Sequence, residues 1–199
     1  MSLPDAMTCT AFDGHRLIAS GALASVVLAT KQAVDAGAAG PVLIFDDHSS
    51  LPVEVDLRGS PDDVLARLPS PAEPDDESVA RGPGRPRLGV VAREVTLLPR
   101  HWEWLAAQPG GASATLRRLV EEARRQNRDR DRVRQAGEAV DRFMLAMAGN
   151  LPGYEEATRA FWRRERDQFE QLTGHWPTDV REHVRRLASR AWDDADVVT

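Results

Sequence analysis

The side chains best suited to bind a ligand are arginines in a proline- and glycine-rich segment near the middle of the chain. Arg81 precedes the tetrapeptide Gly84-Arg85-Pro86-Arg87. Proline keeps such a backbone extended and glycine allows close approach, while guanidinium groups suit the negative potential of a narrow DNA minor groove. The segment predicts a minor-groove arm in which Arg81, Arg85 and Arg87 contact DNA. The alternative interpretation is a solvated linker of the same composition.

A segment with alternating side chains follows the arm and offers two further DNA-contacting candidates. Residues 90–98 are rich in β-branched side chains, which favours a strand. One face of this strand carries Val91, Arg93, Val95 and Leu97, and the other carries Ala92, Glu94, Thr96 and Leu98. Arg93 is the cation on the first face, and Thr96 is the hydroxyl on the second. The Glu94 carboxylate repels phosphates unless it accepts a hydrogen bond from cytosine.

Two short helices are predicted after this strand. Pro99 suits the first position of a helix, where its missing N–H is not needed. The segment Gln108-Pro109-Gly110-Gly111 ends that helix, and Ser113 is a suitable N-cap for the next one. The second helix has apolar residues at helical spacing, namely Leu116, Leu119, Val120 and Ala123.

The order strand, helix, turn, helix over residues 88–125 resembles the ribbon-helix-helix DNA-binding domains of the Arc and MetJ type. The resemblance implies a homodimer in which the strands at 90–98 pair into an antiparallel ribbon that enters the major groove. It also implies that Arg93 and Thr96 are the candidates for contacts with base edges. It also implies a phosphate held by the turn from Gly111 to Ser113, because amides at a helix N-terminus bind anions. Arg117, one turn further along, is assigned to the same interface. The Gly84-Arg85-Pro86 core of the arm resembles an AT-hook.

The distribution of charge agrees with a basic interface in this region. The chain of 199 residues has a net charge of −5. Residues 1–80 have a net charge of −9, residues 81–130 have +6, and residues 131–199 have −2. Positive charge is therefore concentrated around the predicted DNA-binding motif, and the acidic N-terminal region is a possible site for a protein partner.

Several other classes of protein are disfavoured by the sequence. Cys9 is the only cysteine, so we expect no intrachain disulfide and no cysteine-based zinc site. Asp46, Asp47 and His48 could ligate a metal, but an exposed turn between two strands is the simpler explanation of these residues. We find no catalytic motif, and we expect no enzyme activity, no cofactor and no metal. With no signal peptide and no apolar run long enough to span a bilayer, we expect a cytoplasmic protein without membrane contacts.

The fold class predicted for the whole chain is α+β. Residues 1–70 form a small α/β domain with the order hairpin, helix, hairpin, helix. Its first hairpin turns at Asp13-Gly14, and its second pairs residues 41–45 with an alternating strand at 53–57. Ser60 and Pro61 then cap a short helix. Residues 71–87 are the linker that contains the basic arm.

Residues 126–199 are predicted to form a C-terminal helical bundle. A charged run at 126–132 leaves open whether residues 114–148 form one helix or two, with a break near Asn127. Asp179 and His183 lie four residues apart on the last predicted helix, which favours an ion pair on the helix surface.

The chain as a whole also resembles a bacterial family known only as conserved and uncharacterised. The residues that carry this resemblance are Phe12-Asp13-Gly14, Phe45-Asp46-Asp47, Gly84-Arg85-Pro86, residues 93–102, Gly110-Gly111-Ala112-Ser113 and Trp176-Pro177. This family implies no activity.

Two functions of different classes therefore remain open. The first is a dimeric ribbon-helix-helix protein that binds DNA and regulates transcription. The second is a non-enzymatic assembly protein in which the ribbon only dimerises the chain. An exposed Arg93 together with a mobile basic arm favours the first function, whereas an exposed Glu94 with a buried Arg93 favours the second.

Overall fold

The computed structural model describes residues 7–68, 91 and 93–198, and it confirms the mixed α+β class. The strands are β1 (Thr8–Asp13), β2 (Arg16–Ala22) and β3 (Val42–Asp46). The α-helices are α1 (Leu23–Asp35), α2 (Pro61–Arg67), α3 (Pro99–Ala106), α4 (Gly111–Ala148), α5 (Tyr154–Trp162), α6 (Arg166–Leu172) and α7 (Thr178–Val198). A 3-10 turn at Thr173–His175 separates α6 from α7.

The described residues divide into two compact units. Residues 7–68 and 129–198 form the first unit, so the N-terminal sheet and the C-terminal helices share it. Residues 91 and 93–128 belong to the second unit. The predicted basic arm, with Arg81, Arg85 and Arg87, lies outside the described residues.

The first hairpin is confirmed, and its first strand, β1, is the central strand of the sheet. β1 pairs antiparallel with β2, and Gly14 and His15 make the turn between Asp13 and Arg16. Gly14 has a φ of 56°, a left-handed conformation that glycine adopts without a Cβ clash. The Asp13 carboxylate accepts hydrogen bonds from the backbone N–H groups of Ala39 and Gly40, at 3.3 and 2.7 Å. This contact fixes the loop that leads into β3.

The second predicted hairpin is only partly formed. β3 pairs antiparallel with β1, which gives the strand order β2-β1-β3. Residues 53–57 form no strand, and only an isolated bridge joins Phe45 to Pro52, followed by a hydrogen bond from Val53 N to Ile44 O of 2.8 Å. Pro52 has no N–H to donate to a ladder, which explains why pairing does not continue regularly. The alternation of apolar residues at 53–57 therefore predicted their partial burial correctly, but it predicted their strand pairing wrongly.

The sheet is covered on both faces because successive residues of β1 point to opposite sides. Cys9 and Ala11 pack with Val26 and Val27 of α1 and with Val64 of α2. Phe12 faces the other way and belongs to the main core with residues from the C-terminal helices. The buried members of this core on α4, α5, α6 and α7 include Val140, Phe143, Met144, Phe161, Phe169, Val180, Val184 and Trp192.

A buried imidazole lies at the junction of the sheet with α4 and α7. The His183 ring lies 4.4 Å from the Phe143 ring and 5.5 Å from the Phe12 ring, measured between centroids. Its Nδ1 lies 2.7 Å from a guanidinium nitrogen of Arg186. Asp179 instead accepts a hydrogen bond from Leu17 N at 2.7 Å. The predicted Asp179–His183 surface ion pair is therefore wrong, because His183 is buried against aromatic rings.

Burial lowers the pKa of His183 from 6.5 to about 3, and the positive charges of Arg186 and Arg190 act in the same direction. The unfolded chain therefore binds the proton more tightly than the folded chain. The stability contributed by neutral His183 is complete above pH 6.5 and is lost as the pH falls towards 3.

We expect the free energy of unfolding to fall below pH 6.5 with a contribution from His183 of about 1.4 kcal/mol per pH unit. In His183→Phe this contribution disappears, because the aromatic packing is kept and the titrating group is removed. Urea unfolding at several pH values measures the slope, and the exposed His15→Gln is the control. An unchanged slope in His183→Phe would show that the buried imidazole does not control acid unfolding.

Candidate nucleic-acid interface

The segment before α3 is mostly exposed in the single chain. Residues 93–98 have no regular secondary structure, so the strand predicted at 90–98 is not formed within one chain. Its pairing with a second chain stays a prediction, because the described part of one chain gives it no strand partner. Arg93, Glu94 and Thr96 are all exposed, so burial does not distinguish the basic from the acidic face.

Helix α3 begins where the sequence predicts. Pro99 occupies its first turn, and the N–H groups of His101 and Trp102 both donate to Leu98 O, at 2.9 and 3.3 Å. Leu105 is buried, whereas the neighbouring Trp104 is 51% exposed. An exposed indole next to a buried leucine means that α3 buries only part of its apolar surface within the chain.

Helix α4 begins two residues earlier than the predicted N-cap. Gly110 and Gly111 both have positive φ angles, 84° and 75°, and together they reverse the chain into the helix. Ser113 therefore lies in the first turn instead of before it, and its carbonyl accepts from Arg117 Nε at 3.2 Å. The N–H of Gly111 donates to Gln108 O at 2.9 Å. The first-turn amides of Ala112 and Ser113 are then the groups best placed to hold an anion, since they lack helical acceptors.

Helix α4 is continuous over 38 residues, so the charged run near Asn127 does not break it. At 100° per residue, its first half has two stripes on different sides. The apolar stripe contains Leu116, Leu119, Val120 and Ala123. The basic stripe contains Arg117, Arg118, Arg124, Arg125 and Arg128. Sequence reasoning identified only Arg117 of the basic stripe, although the helical spacing of the other four was visible.

The basic stripe retains unpaired positive charge. Arg124 pairs with Glu121 at 2.9 Å, and Arg125 pairs with Glu122. Arg118 and Arg128 form no ion pair with any described residue. Exposed guanidinium groups without a carboxylate partner are available to phosphate oxygens.

The second unit exposes most of its large apolar side chains. Seven of the thirteen exposed large apolar residues in the described chain lie between positions 91 and 120. We call them the apolar surface: Val91, Val95, Leu98, Trp102, Trp104, Leu119 and Val120. A cleft of about 340 Å³ adjoins this surface, lined by Leu97, His101, Trp104, Leu105, Leu116 and Leu119. Seven exposed large apolar side chains within 30 residues favour an interaction site in this part of the chain.

The sites that could support other chemistry have structural explanations. The Asp46 carboxylate accepts from the backbone N–H groups of His48 and Ser49, at 3.2 and 2.7 Å, and so stabilises the turn after β3. Among the described residues, no group of three or more His, Cys, Asp or Glu side chains could hold a metal ion. Burial raises the pKa of Cys9 to about 11, which keeps the thiol protonated and unreactive at neutral pH.

A family model described as an uncharacterized protein conserved in bacteria (DUF2239) matches residues 8–188. The chain belongs to this family. The predicted end-to-end resemblance to an uncharacterised bacterial family is thereby confirmed, and the family carries no assigned activity. No curated protein and no solved structure matches the chain. The comparisons do not confirm the ribbon-helix-helix resemblance.

None of the described helices is both long enough and apolar enough to cross a bilayer.

The predicted ribbon is testable by cross-linking. In an antiparallel ribbon with a two-fold axis, equivalent residues near the axis face each other at Cβ distances of about 4.5–5.5 Å. We therefore expect at least one of Glu94→Cys, Val95→Cys and Thr96→Cys to form a disulfide-linked dimer under mild oxidation. Non-reducing electrophoresis measures the product, and Cys9 does not compete because it is buried.

The matched control for this cross-link is Leu145→Cys, which places a thiol at a site that is 65% exposed in the other unit. If no ribbon variant cross-links faster than this control, the strands at 90–98 do not pair.

Proposed function

We propose that this protein is a homodimeric DNA-binding protein of the ribbon-helix-helix type that regulates transcription in the cytoplasm. The strands at 90–98 of two chains pair into the ribbon, where Arg93 and Thr96 contact base edges. The start of α4 and its basic stripe hold backbone phosphates. The arm with Arg81, Arg85 and Arg87 enters the adjacent minor groove.

This proposal rests on one observation: the first half of α4 has the apolar stripe on one side and the basic stripe on another. Leu119 and Val120 of its apolar stripe are exposed in the single chain. Arg118 and Arg128 of its basic stripe have no carboxylate partner among the described residues. A second copy of the chain can cover the apolar stripe while the basic stripe stays free for phosphates. A protein that used α4 only for assembly would have no need for the unpaired arginines.

The area of the apolar surface supports the proposal that a second copy of the chain covers it. From the exposed fractions of its seven side chains, we estimate on the order of 600 Å² of surface per chain, near the roughly 800 Å² that each partner buries in a standard interface. Strand pairing suits two identical chains, because the backbone N–H and C=O groups of a strand can form hydrogen bonds with the same strand of a second copy. Both features favour a symmetric dimer.

Charge placement supports DNA as the ligand of the basic stripe. Residues 81–130 have a net charge of +6 in a chain whose total is −5. Neutralised phosphates release counterions, so a concentrated basic segment binds DNA even when the whole protein is acidic.

The alternative is an assembly protein in which the ribbon only dimerises the chain and the acidic N-terminal region binds a protein partner. A ribbon that turned Glu94 outward would favour this alternative, because a carboxylate in the ribbon opposes contact with phosphates. Both Glu94 and Arg93 are exposed in the single chain.

Fluorescence anisotropy of a labelled AT-rich duplex, titrated with full-length protein at several salt concentrations, distinguishes the two functions. Each phosphate contact contributes about 0.9 to the log–log salt slope, so DNA binding predicts a slope of several units. We expect Arg118→Gln with Arg128→Gln to reduce the slope, and Arg85→Ala with Arg87→Ala to reduce it separately.

The control for these variants is Arg163→Gln with Arg190→Gln, which removes the same charge from exposed arginines of the other unit. An equal loss of slope in this control would indicate a non-specific charge effect. Absence of binding at low salt, from folded and dimeric protein, would favour the assembly function.

A further inference from the structure

The first unit contains a charged cleft that the proposed DNA interface does not use. It lies between the turn after β3, the second half of α4, and α7, and its volume is about 380 Å³. Ala136, Ala139 and Leu187 contribute the apolar part of its lining. Volumes of this size accommodate small organic ligands.

Five formal charges surround this apolar part, and four of them already have one partner, although the carboxylates among them can accept further hydrogen bonds. Arg132 pairs with Asp194 at 3.2 Å, and Asp193 lies 3.4 Å from Arg166. Asp47 accepts a hydrogen bond from Thr10 Oγ1 at 2.6 Å.

Arg190 differs from the other charged residues that line the cleft. It forms no ion pair with any described residue, although it lines the cleft beside three aspartates. A guanidinium that faces a cleft without a carboxylate partner is suited to a ligand carboxylate, which it can bind through two parallel hydrogen bonds.

The charge balance narrows the class of ligand further. Arg132 and Arg190 face Asp47, Asp193 and Asp194, which leaves the cleft with a net charge of −1. This balance disfavours polyanions such as nucleotides, and it suits a ligand that carries a cation as well as a carboxylate. The alanine and leucine side chains between the charges suit a short aliphatic group.

We propose that this cleft binds a free amino acid with an aliphatic side chain. The ligand carboxylate pairs with Arg190, its ammonium group faces the aspartates, and its side chain contacts Ala136, Ala139 and Leu187. This binding does not require DNA, so the experiment on the cleft tests this proposal separately from the proposed DNA-binding function.

Isothermal titration calorimetry of the full-length protein with three probes of the same aliphatic body tests the proposal. L-Leucine carries both charges, 4-methylpentanoate lacks the ammonium group, and 3-methylbutylamine lacks the carboxylate. We expect L-leucine to bind and each single-charge probe to bind at least about tenfold more weakly, because each one loses a charged hydrogen-bonding group.

Two variants locate the binding site on the protein. Arg190→Gln removes the carboxylate partner and should weaken L-leucine binding at least about tenfold. Ala136→Leu keeps a strong helix-forming residue in α4 and fills part of the cleft, so it should also weaken binding. Arg163→Gln removes an equally exposed charge outside the cleft and should leave binding unchanged. Circular dichroism establishes that each variant is folded.

Three results would overturn the proposal. The first is an absence of L-leucine binding to folded wild-type protein up to the solubility of the probe. The second is equal binding of 4-methylpentanoate, which would mean that the ammonium group is not recognised. The third is unchanged L-leucine affinity in both Arg190→Gln and Ala136→Leu, which would place any binding elsewhere.

Discussion

Unburied apolar surface in the second unit is the constraint on which the functional interpretation depends. Folding is driven by removal of apolar area from water, and the first unit achieves this with two clusters on either side of its sheet. Between Val91 and Val120 the single chain leaves seven large apolar side chains exposed. We propose that a second copy of the chain covers this surface, because pairing of identical chains needs no further component.

Helix α4 has one half in a buried core and the other half on an exposed surface. Its second half contributes Val140, Phe143 and Met144 to the main core, where they are fully buried. Its first half carries an exposed apolar stripe and a basic stripe. At 1.5 Å per residue, its 38 residues extend over roughly 57 Å. The charged stretch between the halves keeps its helical conformation with ion pairs three and four residues apart, such as Arg134 with Asp131 and Glu138.

Much of the fold was predictable because local signals agreed with tertiary packing. The Asp13-Gly14 turn and the cap formed by Ser60 and Pro61 specify their elements through backbone chemistry alone. The two failures of prediction have different causes. Residues 53–57 alternate like a strand, but the adjacent Pro52 limits their pairing. His183 is buried by rings from β1 and α4 that lie far away in sequence.

The candidate interface was less predictable than the fold. Ser113 has the chemistry of an N-cap, yet the two preceding glycines determine where α4 begins. The exposure of the apolar stripe depends on what packs against it, which sequence periodicity does not specify. The cleft around Arg190 joins residues from positions 47 to 194, so no local motif indicates it.

Sedimentation equilibrium of the full-length protein over a range of concentrations tests the central claim most directly. The single chain has a mass of 21.9 kDa. If the apolar surface is covered by a second copy, the measured mass is twice that value. A mass of one chain at every concentration would mean that the apolar surface stays uncovered, and it would contradict the dimeric ribbon on which the proposed function depends.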